Sequence, residues 1–225
     1  RPPPISTLFP YTTLFRSRAV FFSNILKSLG GNSVKETRSG IMNKIEFTPF
    51  PFITTECLDL TELALEDEKE VFILKSDKKV LRFMDRPKSK TIEEARQFIK
   101  YIKDGIIKNK WILWAIRVKG NEKLVGTVCL WNISEHESRA DIGYELLPNF
   151  HGKGIMQEAV AVVIKYGFET MNLYSIEAVV NANNQKSIKL LKRNHFTIMK
   201  KFREKSSFQD KISEMEIYEL MNKRY

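Results

Sequence analysis

A strand, a short loop with two glycines and a helix follow one another between residues 140 and 170, and this junction constrains the fold more than any other part of the chain. The run from Ile142 to Leu147 is apolar and of strand type, Ala159-Val160-Ala161-Val162-Val163-Ile164 reads as helix, and Pro148-Asn149-Phe150-His151-Gly152-Lys153-Gly154 lies between them. Glycines in a tight strand-to-helix loop let the backbone turn its N–H groups outward with no Cβ in the way. The helix start adds roughly half a positive charge at the same point. Together they make a seat for phosphate or pyrophosphate, and Lys153 supplies a mobile cation. The loop is not a nucleotide P-loop, since it lacks the four-residue spacer and the Lys-Ser/Thr ending, and it lacks the three-glycine dinucleotide spacing. Alone, Gly-Lys-Gly would also suit a plain turn. Its setting sharpens the reading: the strand Asp141-Ile142-Gly143-Tyr144-Glu145-Leu146 precedes it, and a second helix start, Asn184-Gln185-Lys186-Ser187, follows the next strand.

Residues Ser6 to Ser17 read STLFPYTTLFRS, which resembles one reading frame of a common sequencing-adapter oligonucleotide. Residues 1–41 are therefore expected to be a non-native, disordered leader, with 18–41 open between read-through and native chain, and Met42 the native start of one domain over 42–225. Residues 1–41 hold six Lys/Arg and one Glu, so they carry +5 of the formal net charge of +10. What remains is a moderately basic globular domain rather than a nucleic-acid-binding tail. Such a surface attracts an anionic ligand. The apolar stretch at 20–26 is too short and interrupted to span a membrane. Two cysteines, Cys57 and Cys129, make no disulfide framework, which suits a reducing, cytoplasmic setting. His136, His151 and His195 are scattered and lack metal-ligand spacing with the cysteines, so no metal is expected.

Along the chain, 52–60 reads as a strand and 66–74 as a short helix. Thr91-Ile92-Glu93-Glu94 is a capping box opening a helix whose face carries Ala95, Phe98, Ile99, Ile102 and Ile106. Strands at 111–118 and 124–133 flank the hairpin signal Lys119-Gly120-Asn121-Glu122. A strand at 140–147, the glycine loop and a helix to about residue 170 come next, then a strand at 176–180, a helix at 186–193 and two strands after Thr197, the last at 212–221. This order implies a mixed α/β sheet with parallel neighbours around the crossover helix. Ligands of such sheets bind at the carboxyl ends of strands, where the glycine loop sits.

In order and spacing, these segments resemble the GNAT acyl-CoA N-acyltransferases, in particular the RimJ/RimL-type branch of ribosomal-protein N-terminal acetyltransferases. The resemblance runs from about Ile53 to Leu220 and rests on Thr54-Thr55-Glu56 with Leu58, Trp114-Ala115-Ile116 before Leu124-Val125-Gly126, Asp141 to Leu146, His151-Gly152-Lys153-Gly154, and Asn184 to Ser187 before Leu191 and Phe196. It implies a single α/β domain with a mixed, mostly antiparallel sheet of about seven strands, splayed at the cofactor site, and helices on both faces. Three sites depart from the pattern. Cys57, with Thr61 or Glu62, stands where arginines are usual; His151 stands for Gln or Arg; and His195 stands for Gly, and if that position needs a positive φ, histidine tolerates it better than most residues.

The resemblance further implies acetyl-CoA as cosubstrate, with its pyrophosphate on the amides of Gly152, Lys153, Gly154, Ile155 and Met156, helped by His151 and Asn184. Its pantetheine arm would pair with main chain at Leu146 and Leu147. The partner is an amine acceptor, a protein N-terminus or small molecule, with no membrane and no direct nucleic acid expected; the protein would be a monomer or homodimer. A CoA-binding protein or acyl-CoA sensor with little turnover is the competing reading. Asp141, Gly143 and Glu145 alternate onto one strand face, which places the two carboxylates about 13 Å apart at ~3.4 Å per residue. Each is a candidate base or a plain strand carboxylate, and a water relay needs neither. Ser187, one helix face with Leu190 and Leu191, is the candidate acid, or simply the third residue of a helix capped by Asn184. Tyr144 and Trp114 read as core before substrate contacts.

Overall fold

The computed structural model describes residues 45–208 and 210–224; the expected leader and the Met42 start lie outside the described residues. In chain order the elements are β1 (Ile53–Thr54), β2 (Leu58–Glu62), α1 (Glu68–Ser76), α2 (Lys78–Leu81), α3 (Ile92–Ile107), β3 (Ile112–Val118), β4 (Leu124–Ser134), β5 (Arg139–Leu146), α4 (Ile155–Glu169), β6 (Ser175–Asn181), α5 (Gln185–Arg193), β7 (Thr197–Lys205) and β8 (Ile212–Met221). The strands form one sheet of eight in the order β1-β2-β3-β4-β5-β6-β8-β7. Every neighbouring pair is antiparallel except β5 and β6, which are parallel and joined by the α4 crossover. The eighth strand, beyond the seven expected, arises where 52–60 breaks: the Thr55 N–H donates to the Leu58 carbonyl at 2.9 Å, a tight turn that divides β1 from β2.

Local chemistry sets the helices. At α3 the Thr91 hydroxyl accepts from the Glu94 N–H at 3.2 Å, while Glu94 reaches back to the Lys90 N–H at 2.8 Å, one residue earlier than a strict capping box. Its buried face is Ala95, Phe98, Ile99, Ile102, Gly105 and Ile106, as the 3.6-residue period requires. At α5 the Asn184 carboxamide oxygen accepts from the Ser187 N–H at 3.3 Å. His195 has φ 64°, the left-handed conformation its place in the pattern called for.

Side-chain contacts assign the two layers. Glu145 meets Lys75 of α1 and Arg86, which precedes α3. Its chain neighbour Tyr144 points to the opposite face and meets Ser187 of α5. Trp114 shares that second face through the register Trp114–Val128–Tyr144 and packs edge-on against Tyr166 of α4 at 5.3 Å. Helices α1 to α3 thus cover one face and α4 and α5 the other. Trp114 is wholly buried, and its indole N–H donates to the Pro51 carbonyl at 2.7 Å, which pairs the one donor of that side chain.

The β5–β6 ladder is short. Its register runs through Arg139–Ser175, Ala140–Ile176 and Asp141–Glu177 and then stops, although β5 continues to Leu146 against β4 and β6 continues to Asn181 against β8. The two halves of the sheet therefore part beyond Asp141 and Glu177. β4 and β5 stay close throughout: a Cβ on Gly126 would lie 2.4 Å from the Glu145 carbonyl oxygen. Gly126→Ala is expected to destabilise the fold by about 1–3 kcal/mol. Urea unfolding should show a lower midpoint with unchanged slope, and an unaltered midpoint would contradict this close approach.

Candidate active site

The parted strands leave main-chain groups without ladder partners on one side. The Leu147 N–H donates to the Val125 carbonyl at 2.9 Å, and antiparallel pairs alternate between bonded and non-bonded positions. Glu145 is therefore bonded to β4, while Tyr144 and Leu146 turn their N–H and C=O groups the other way, into the gap toward β6. The Leu147 carbonyl also accepts, from the Phe150 N–H at 3.0 Å, so each of its main-chain groups has a partner within the protein. Leu146 does face the gap, and its carbonyl accepts from His151 Nε2 at 2.9 Å, which fixes the proton on that ring nitrogen.

The glycine loop follows directly. Gly152 and Gly154 have φ of 78° and 80°, and a Cβ on either would meet nothing within 4 Å. Both glycines thus relieve backbone strain rather than a clash, and the space before them is open. Gly154 is the N-cap of α4 and offers no side-chain cap, so the first N–H groups of the helix, from Ile155 and Met156 onward, point outward without one. Lys153 is exposed, with Nζ 5.3 Å from the centre of the Phe150 ring. The first turn of α4 is fixed from two sides. Glu158 Oε1 accepts from the Thr55 hydroxyl at 2.5 Å and the Cys57 N–H at 3.0 Å, and Gln157 Nε2 donates to Asn194 Oδ1 at 2.9 Å. What results is a preformed, uncapped donor cluster beside an unzipped strand, chemistry suited to a diphosphate with an attached chain.

The two strand carboxylates proposed from sequence as bases both have partners within the protein. Glu145 accepts from Arg86 at 2.8 and 3.0 Å and from Lys75 at 3.0 and 3.2 Å. Burial would raise its pKa, but the two cations hold its carboxyl below the usual range, so it is a weak proton acceptor. Asp141 is 1% exposed, lies where the ladder is still closed, and accepts from Asn132 at 3.2 Å. Ser187 Oγ lies 2.6 Å from the hydroxyl of Tyr144, a residue of the β5 stretch beyond the β6 ladder. Tyr144, read as core from sequence, is the residue that reading undervalued, and no local signal links it to a serine 43 positions away. Asn184 acts as the cap of α5 with its oxygen.

Two other features fall outside this cluster. A groove of about 800 Å³ at the β1–β2 end of the sheet is lined by Phe52, Thr61, Arg117 and Lys123 among others, away from the loop and the parted strands. Cys57 and Cys129 are free, and burial pushes the Cys129 thiol up to about 12. Among the described residues no group of three or more His, Cys, Asp or Glu side chains could hold a metal ion.

The Lys75–Arg86–Glu145 cluster carries two cations and one anion, and burial, the largest cause, pushes the Lys75 amine down to about 8 from 10.5. Between these two values the unfolded chain binds more protons than the folded one, so unfolding free energy should rise with pH across that window. Lys75→Met should abolish the rise and be neutral or stabilising at pH 7, whereas Glu145→Gln leaves both cations unpaired and should cost about 3–5 kcal/mol. Denaturant unfolding at pH 7, 8 and 10 reads both effects.

Residues 58–197, well over half of the chain, match the family described as Acetyltransferase (GNAT) domain. Uncharacterized N-acetyltransferase p20 of Bacillus licheniformis is 32% identical over 171 residues, 76% of this chain and 96% of that protein. Spermidine N(1)-acetyltransferase of Escherichia coli (strain K12) is 26% identical over 140 residues, 62% of this chain and 72% of that protein. The solved structure of RimL, ribosomal L7/L12 alpha-N-protein acetyltransferase in complex with coenzyme A, has a TM-score of 0.70 at 18% identity, covering 76% of this chain and 98% of that one. An uncapped glycine loop at the parting of a mixed sheet and a family match through both its flanks lead to one conclusion: the chain belongs to the GNAT acetyltransferases and is an enzyme of that family.

Proposed function

We infer that this enzyme moves an acetyl group from acetyl-CoA to a primary amine of low basicity, a protein α-amine or a small-molecule amine, by direct attack in a ternary complex, as in the RimJ/RimL-type branch. One observation carries the reading. Two glycines at φ near 80° open onto the uncapped start of α4, next to the stretch of β5 that has lost its β6 partner. Gly152 to Met156 would hold the diphosphate, with Lys153 as counter-charge. The Leu146 N–H and the main chain of Tyr144 would hold the extended arm. His151 keeps the end of β5 in place through its bond to Leu146.

Acetyl-CoA supplies the activated acetyl group; the chain's own residues align the amine, exclude bulk water and stabilise the departing charge. Asp141 and Glu145 are both engaged, so water carries the ammonium proton away. At pH 7 that costs roughly 1.4 kcal/mol for an α-amine of pKa ~8 and roughly 4.6 for a lysine of pKa ~10.4. This difference favours α-amines over lysine side chains. The reading places the enzyme in the cytoplasm, where acetyl-CoA and such amines meet.

Acetyl transfer from acetyl-CoA to N-terminal peptides, polyamines and aminoglycosides, followed by mass spectrometry, tests the acceptor class, with α-amine peptides expected to lead. Gly154→Glu puts a carboxylate at the phosphate seat and a non-glycine residue at positive φ, a strain of roughly 1–2 kcal/mol. The variant should stay folded, with a modestly lower melting temperature, and lose acetyl-CoA binding in calorimetry. Unchanged affinity in the folded variant would refute the assignment of the loop.

A further inference from the structure

We propose that Tyr144 is a positioning residue for acetyl transfer, holding Ser187 so that the serine hydroxyl hydrogen points into the gap between β5 and β6. The inference rests on the acetyl-transfer reading of that gap and adds to it a residue with a defined task. Tyr144 comes from β5, and Ser187 comes from the helix that follows β6, so their 2.6 Å contact joins the two walls of the gap on the face of the sheet covered by α4 and α5. Both residues are half-buried, as groups lining a cleft are, and neither belongs to the closed part of the ladder.

The direction of the hydrogen bond follows from acidity. A phenol is a stronger acid than an alcohol, so Tyr144 donates and Ser187 Oγ accepts. Burial pushes the Tyr144 hydroxyl up to about 12, so it keeps that proton at any working pH. Ser187 has a single hydrogen, and with its oxygen accepting from Tyr144 and its N–H held by Asn184, that hydrogen is left to donate. Accepting one hydrogen bond strengthens the next one donated, by ~10–30%. Without the phenol, a serine in the first turn of a helix readily turns its hydroxyl back onto nearby main chain.

In the reaction the C–N bond forms and the C–S bond breaks. The sulfur leaves with the bonding electron pair and takes the Ser187 proton. Ser187 regains one of the two protons shed by the ammonium, and the other goes to water. Tyr144 exchanges nothing; it sets the orientation of Ser187. A purely structural contact between β5 and α5 would act on stability and leave turnover alone, and this difference makes the inference testable.

The test compares Tyr144→Phe, Ser187→Ala and the double variant in the full chain, by steady-state acetyl transfer to the best acceptor and by thermal unfolding. Phenylalanine keeps the ring and removes only the hydroxyl. Tyr144→Phe is expected to lower kcat about tenfold with the KM for acetyl-CoA unchanged, Ser187→Ala to do at least as much, and the double variant to fall no further than Ser187→Ala. A Tyr144→Phe enzyme with full kcat, whatever its melting temperature, overturns the inference, as do losses that multiply in the double variant. A wild-type enzyme that transfers to no amine overturns the acetyl-transfer reading and this inference with it; a wild-type enzyme that transfers while Tyr144→Phe is unaffected overturns this inference alone.

Discussion

Everything about the site depends on where one hydrogen-bond ladder ends. Buried backbone groups need partners, and on its β4 side β5 is in register from Asp141 to Leu146, with a bulge before it. On the β6 side it finds them only through Asp141 and Glu177. Past that point the N–H and C=O groups of Tyr144 and Leu146 face a gap rather than a strand. A sheet can tolerate such a break only if each half is secured elsewhere. β6 is secured by seven register pairs with β8, and β5 by β4. The gap is thus a product of topology: one parallel junction within an otherwise antiparallel sheet, closed at one end and open at the end where the glycine loop begins.

The two faces of the gap differ in chemistry because strand side chains alternate. Tyr144 and Ser187 on one face offer neutral hydroxyls. Glu145, one residue on, is on the other face, neutralised by Arg86 and Lys75 with one positive charge in surplus. The two cations favour the charged form of the Glu145 carboxylate against the burial that would neutralise it. Residues adjacent in sequence thus face opposite sides of the sheet, Tyr144 toward the Ser187 hydroxyl and Glu145 into an ionic cluster.

How much of this could be read from the chain follows from distance along it. The glycine loop, the Thr91 and Asn184 caps, the apolar face of α3 and the alternation of Asp141, Gly143 and Glu145 are set by residues a few positions apart, so they were legible. The contact of Glu145 with Arg86, 59 positions away, was not, because nothing local distinguishes a strand carboxylate that awaits a substrate from one that awaits an arginine. Tyr144 looked like core for the same reason. The strand predicted to reach residue 147 ends at Leu146, because Leu147 already turns its carbonyl to Phe150.

Arg86 binds β5, and its chain neighbour Asp85 accepts from the Ser207 N–H at 2.8 Å and from the Ser206 hydroxyl, at the turn between β7 and β8. Two consecutive residues therefore buckle together the two half-sheets that the broken ladder separates. One two-residue step thus touches both half-sheets, with Arg86 in the buried ion cluster of Glu145 and Asp85 at the outer hairpin.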